Sequence, residues 1–151
     1  AMRAITAYAP QQLTSTAWSF AKLLVRDLPL INAIAVEASI TMDEFGPSDL
    51  ANTAWAYARF GVSKYKLMDA LAGQALAKIG AFSAHDIAST AWAFSKLAVR
   101  NKPLLEAISA QSIPSSRAYS SQDIAAIAWS FATCGMRDPT LFEALAASSL
   151  A

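Results

Sequence analysis

Lys22, Arg26, Arg59, Lys96, Arg100 and Arg137 are the residues whose type and spacing in this chain could do chemistry. Each closes a helical face, reached by steps of three and four residues, whose earlier positions carry small or hydrogen-bonding side chains. Before Lys22 come Gln11, Ser15 and Ser19; before Arg59 come Ser48, Asn52 and Ala56. His85, Ser89 and Ala93 precede Lys96, and Gln122, Ala126, Ser130 and Thr133 precede Arg137. A row of cations neutralises the phosphates of a strand, and a parallel row of variable polar side chains can meet base edges. The expectation is therefore an RNA track. Its phosphate contacts are Lys22, Arg26, Arg59, Lys96, Arg100 and Arg137, and its base readers are Ser15, Asn52 and Ser89, with Gln11, Ser48, His85 and Gln122 one turn before. Ala126 holds the slot of Asn52 in the last face and has no side-chain hydrogen bond to offer. The competing reading is that cations near a helix C-terminus only complement its dipole, for about 0.3–1 kcal/mol each.

Other chemistry finds little footing. No nucleophile–base pair recurs, no glycine-rich phosphate loop occurs, and His85, the single histidine, has no cysteine near it to make a metal-ligand pattern. Asp49, Asp86 and Asp123 read as helix caps. The chain is expected to be no enzyme and to need no cofactor, metal or small-molecule substrate.

The elements that must position these faces are set by a repeat. Trp18, Trp55, Trp92 and Trp129 are the only tryptophans, and each follows the last by 37 residues. Around them the chain reads TSTAWSFAKL, ANTAWAYARF, ASTAWAFSKL and AAIAWSFATC. Self-similarity at such a period is the mark of a repeat array, in which each unit buries its apolar face only against its neighbours. The frame gives units at 8–44, 45–81, 82–118 and 119–151, with residues 1–7 as the tail of a preceding unit's second helix. The array is expected to be a segment of a longer protein.

Each unit reads as two helices. Gly46-Pro47-Ser48-Asp49 starts the first helix of the second unit, with proline at N1 and an acid at N3 facing the positive end of the dipole. Ser83 with Asp86 and Ser120 with Asp123 have capping-box spacing. Hydrophobic staples are available as Tyr8 with Leu13, Phe45 with Leu50, Phe82 with Ile87 and Tyr119 with Ile124. Gly61 and Gly135 stand where the helix would end in a left-handed residue. Leu24 and Ala98 replace that glycine, so those two ends are expected to close differently. Asp27, Asn101 and Asp138 then cap the second helix, beside Pro29, Pro103 and Pro139, and Lys64 breaks the pattern. Nothing alternates with period two. The expected fold is all-α, a right-handed α-solenoid of stacked helix-turn-helix hairpins.

Composition adds limits. A formal net charge of +1 over 151 residues shows no basic excess, although acids at Asp69, Glu106 and Glu143 fall on second helices, away from the cationic edge. The single cysteine, Cys134, takes the slot of Leu23, Phe60 and Leu97 and reads as packing. No apolar run approaches the ~18 residues that suggest a membrane span, so no membrane insertion is expected.

The segments LTSTAWSFAKLL, LANTAWAYARFG and IASTAWAFSKLA, and more loosely IAAIAWSFATCG, resemble the tryptophan-centred first helix of the octotricopeptide repeat family. Tetratricopeptide repeats fit less well, with a shorter period and another signature. The resemblance spans essentially the whole chain. It implies an organellar address, chloroplast or mitochondrion, and binding of single-stranded RNA in transcript stabilisation, processing or translation. The rival reading is a non-catalytic scaffold making contacts with other protein subunits in a large organellar assembly.

The tryptophans themselves read as core, holding adjacent hairpins together and touching no ligand; a base-stacking platform is the alternative. On the core reading, Trp55→Ala or Trp92→Ala costs about 3–5 kcal/mol in a denaturant titration. Unchanged thermal stability in both variants would remove the tryptophans from the core.

Overall fold

The computed structural model describes residues 5–151 of the protein. Residues 1–4, within the expected tail of a preceding unit, lie outside the described residues. The chain forms α1 Pro10–Lys22, α2 Leu28–Ile40, α3 Pro47–Phe60, α4 Tyr65–Lys78, α5 Ala84–Lys96, α6 Lys102–Ser115, α7 Ser121–Thr133 and α8 Pro139–Leu150. Short 3-10 turns at Met42–Glu44, Ile79–Ala81 and Ser116–Ala118 join each hairpin to the next. Among the described residues there is no strand, and the fold is all-α, as periodicity required.

The hairpins stack so that odd-numbered helices form one row and even-numbered helices another. The odd row is packed far more closely than the even row. Small residues on both flanks of each odd helix permit this. Ala21, Ala58 and Ser95 face the next hairpin, and Ala56, Ala93 and Ser130 face the one before; all six are buried. Backbones come near enough for short side chains to bond across the joint. Thr14 and Thr53 hydroxyls lie 3.1 Å apart, and Ser95 Oγ donates to the Ser130 carbonyl at 3.2 Å while lying 3.2 Å from Cys134 Sγ. Cys134 is thus a buried packing residue.

Long side chains fasten the two rows together. Tyr57 is fully buried and its hydroxyl donates to the Ile31 carbonyl on α2 at 2.6 Å. Burial pushes the Tyr57 phenol far above its ordinary pKa, so it stays a donor. Ser112 and Tyr119 hydroxyls meet at 3.0 Å, and Lys78 Nζ reaches back to the Asp43 and Phe45 carbonyls at 2.8 and 2.7 Å.

The helix starts follow the local chemistry. Ser83 and Asp86 cap reciprocally at 3.1 Å in each direction, and Ser120 with Asp123 repeats the arrangement. Gly46 N–H donates to Asp49 Oδ2 at 3.2 Å, and in α1 Gln12 takes the acid's place, accepting from Ala9 N–H at 2.8 Å. Asp27, Asn101 and Asp138 accept from Leu30, Leu104 and Leu141 N–H, each at 3.0 Å. Phe45, Phe82 and Tyr119 are buried ahead of their helices; Tyr8, the first of the set, is not.

The helix stops correct the sequence-based expectation. All four odd helices close alike. Gly61 and Gly135 have φ of 66° and 67°, and Leu24 and Ala98 adopt 57° and 56°. Each is followed by the Schellman bond one turn back: Val25 to Phe20, Val62 to Tyr57, Val99 to Phe94 and Met136 to Phe131, at 2.9–3.1 Å. Stacking against neighbours fixes the geometry of this turn, and Leu24 and Ala98 accept the left-handed strain.

That strain is removable. A non-glycine residue in the left-handed region costs about 1–2 kcal/mol, partly offset because glycine loses more chain entropy on folding. Leu24→Gly and Ala98→Gly should each raise unfolding free energy by about 0.5–1 kcal/mol, and Gly61→Ala should lower it by a similar amount, as read in urea melts. A loss of stability in both glycine variants would show that the turns carry no strain.

Candidate nucleic-acid interface

Packing on both flanks leaves the inner odd helices, α3 and α5, a narrow uncovered stripe, and the equivalent positions of α1 and α7, each flanked by one odd helix, continue it. On α3 it runs through Ser48, Asn52, Trp55 and Arg59; on α1 through Gln11, Ser15, Trp18 and Lys22. On α5 it runs through His85, Ser89, Trp92 and Lys96, and on α7 through Gln122, Ala126, Trp129 and Thr133. The stripe steps by four, three and four. The face drawn from sequence stepped by four, four and three, and so placed Ala56, Ala93 and Ser130 on the edge. All three are fully buried in the joint with the preceding hairpin. Ser19, at the same slot in α1, is exposed.

The slot on the edge belongs to the tryptophans. Trp18 and Trp129, on α1 and α7, which each pack against one odd helix, are 39 % and 45 % exposed. Trp55 and Trp92 are half-buried and pack against the core. The Trp18 and Trp55 rings meet across the joint with centroids 6.1 Å apart and planes inclined by 32°. One turn further on, Lys22 Nζ lies 5.6 Å from the Trp18 ring centroid, and the Arg59 guanidinium 5.7 Å from that of Trp55. At these distances the ring quadrupole attracts the cation and pre-orients it, worth about 0.5–1 kcal/mol at an exposed site. Thr133 stands where the cation would be above Trp129. The core role read from sequence describes the packed side of Trp55 and Trp92 and leaves out the cation beside the ring. Its signal was the cation four residues after each of the first three tryptophans.

The remaining expected cations fall close by. Arg26, Arg100 and Arg137 follow the ends of α1, α5 and α7, and all are exposed. Among the described residues, none of Lys22, Arg26, Arg59, Lys96, Arg100 and Arg137 has a carboxylate within ion-pair distance. Their charges are available to a ligand. Asp69, Glu106 and Glu143 sit exposed on α4, α6 and α8, in the other row, and Glu106 is paired with Lys102 at 3.5 Å.

The base-reading candidates differ in how free they are. Gln11, Ser48 and Gln122 are exposed, and Asn52 is half-buried; none of these side chains is committed to another group. Ser15 is exposed as well. His85 and Ser89 are tied together instead. Ser89 Oγ lies 3.4 Å from His85 Nε2, and His85 Nδ1 lies 3.2 Å from Asp123 Oδ1 on the next hairpin. The chain of contacts has the order of a nucleophile, base and orienting acid. The N–H groups around Ser89 are inside α5 and held by the helix, so no donor pair is placed to receive an oxyanion. Asp123 has two partners, the Ser120 cap of α7 and His85.

Asp123 is mostly buried, which alone would raise its pKa; hydrogen bonds from Ser120 side chain and backbone and from His85, with the His85 charge, outweigh this and hold it below the ordinary value.

The family model for the RNA-editing substrate-binding complex 6 protein (RESC6) matches residues 1–151. No curated protein matches the chain.

A depressed folded-state pKa makes the Asp123 contribution complete above the unfolded value of about 3.9 and lost as pH falls through the folded value. At N3, asparagine keeps an amide oxygen that can accept from the Ser120 N–H but cannot ionise. Asp123→Asn should thus lose about 0.3–1 kcal/mol near neutral pH, the worth of a carboxylate at a helix N-terminus, and show a shallower loss of stability as pH falls through the folded carboxyl's titration. Equal acid limbs for the two proteins, in urea titrations at stepped pH, would remove Asp123 from the acid transition.

Proposed function

The chain belongs to the RNA-editing substrate-binding complex 6 protein family, and on that premise we propose that it is a non-catalytic helical array that binds single-stranded RNA along its odd-numbered helices. The observation that carries the reading is the uncovered stripe, where polar side chains and partly open tryptophan rings recur once per hairpin, with unpaired cations one turn on at Lys22, Arg59 and Lys96. Cations would hold phosphates and set the strand's register. Bases would stack on the part of each tryptophan ring left open along the stripe, each such contact being worth about 1–3 kcal/mol. The Trp18 and Trp55 rings already touch, so a base meets their outer faces and is not inserted between them. Asn52, Ser48, Gln11 and Gln122 are free to discriminate among bases in the manner implied by the octotricopeptide resemblance. His85 and Ser89 discriminate less, being bonded to each other and to Asp123.

Within this proposal the protein works in an organelle, on transcript processing, as one component of an RNA-editing assembly. RNA-editing complexes are typically mitochondrial, which favours the mitochondrion over the chloroplast. A scaffold role beside RNA binding is supported by a feature of the even-numbered row, taken up below. No helix among the described residues is long and apolar enough to cross a membrane.

The test is single-stranded RNA affinity against salt. About five phosphate contacts give a log–log slope near −3.5. Changing Lys22, Arg59 and Lys96 together to Glu should abolish binding at low salt, and Trp129→Ala should weaken it about tenfold without changing the slope. No binding at low salt by the unaltered protein, or binding indifferent to the charge reversals, would leave the scaffold reading alone.

A further inference from the structure

The even-numbered row carries a feature that neither the fold nor RNA binding uses. Val36, Ile40 and Tyr65 are 63 %, 70 % and 82 % exposed and line a groove of about 710 Å³ between α2 and α4. The hairpin does not need them. The residues one, two and three units after Val36 are Gly73, Ala110 and Ala147, and those after Ile40 are Ala77, Pro114 and Ala151. The same helices close in the same way around small side chains. Single exposed apolar residues are ordinary, but large ones gathered in a concavity mark a contact surface.

Charge says what kind. The charged residues lining the groove are Lys64 and Lys66, and among the described residues neither has a carboxylate partner. Lys64 also stands at the N-cap of α4 with no side-chain cap, where Asp27, Asn101 and Asp138 cap their own helices. One end of an apolar trough is therefore positive and short of acceptors. Asp43 lies at the other end, beyond Ile40.

We infer that this groove docks an amphipathic helix of a protein partner, with apolar side chains against Val36 and Ile40 and carboxylates against Lys64 and Lys66. The chain is all-α and offers no sheet edge among the described residues, so strand addition has no template, and an apolar trough between two helices suits an amphipathic helix laid in the groove. RNA suits the site poorly. Its phosphates need cations along the whole path, and here they cluster at one end of an apolar floor. The groove belongs to the even row and the proposed RNA stripe to the odd row, so the inference stands apart from the RNA reading.

The experiment uses the whole chain and three fluorescent probes followed by anisotropy. They are a synthetic helical peptide with leucines at i, i+3, i+4 and i+7 flanked by glutamates, the same peptide with lysines for glutamates, and a single-stranded RNA oligonucleotide. The glutamate peptide should bind saturably and the lysine peptide far more weakly. Val36→Ala with Ile40→Ala, the pair the fourth unit carries as Ala147 and Ala151, should weaken the glutamate peptide about tenfold or more. Lys64→Asp should weaken it while raising thermal stability, because it supplies the cap that α4 lacks. That pairing separates lost docking from lost folding. Absent binding of the glutamate peptide, equal binding of the two peptides, or indifference to the alanine variants overturns the proposal. RNA affinity that falls with the alanine variants overturns it too, by making the groove part of the RNA path.

Discussion

Everything in this structure depends on how closely successive odd-numbered helices approach. Alanine, serine and threonine at the flanking positions bring α1, α3, α5 and α7 together until hydroxyl groups such as those of Thr14 and Thr53 bond across the joint. A larger side chain at Ala56 or Ala93 would meet the neighbouring backbone directly, since both positions are completely buried. The same contact decides what faces outward. A helix covered on two flanks and by its own partner behind keeps only a thin stripe uncovered, about one side chain wide.

That stripe explains why an apolar residue and a functional edge coincide. Tryptophan at this slot covers the joint with part of its ring and presents the rest to solvent, which an aliphatic residue of similar burial could do without offering a π-face. The cation one turn later lies over the ring, as Lys22 and Arg59 do. Phosphate attraction and base stacking then come from adjacent residues on one helix. The even row behaves oppositely. Its helices are spaced more widely, the spaces between them open into grooves, and their lining varies from unit to unit without disturbing the stack. Val36 and Ile40 at one joint and glycine, alanine or proline at the others are the clearest instance.

The helix ends show a global constraint overriding local preference. Glycine is the natural residue for the left-handed position after a helix, and Gly61 and Gly135 occupy it. Leu24 and Ala98 are driven into the same conformation because the second helix must return to the same place in each hairpin. Reading the residue alone pointed to a different closure at those two sites. The neighbour contacts that impose the turn are invisible at the level of one helix.

From the sequence alone, periodicity determined the all-α fold, the hairpin unit, most helix caps and the row of cations. These are properties of near neighbours in the chain, repeated at a fixed interval. Only the tertiary structure decided which of two adjacent slots, Ala56 or Trp55, lies on the open edge. The two are separated by one helical step of about 100°, and steps of three and four fit either choice. Hydropathy then favoured burying tryptophan, and the packing of small residues on both flanks left the Trp55 and Trp92 rings half-buried, one side on the core and the other on the edge. The link from His85 to Asp123 and the groove beside Val36 were likewise beyond the sequence, because each joins residues on different hairpins whose spacing is set by the stack.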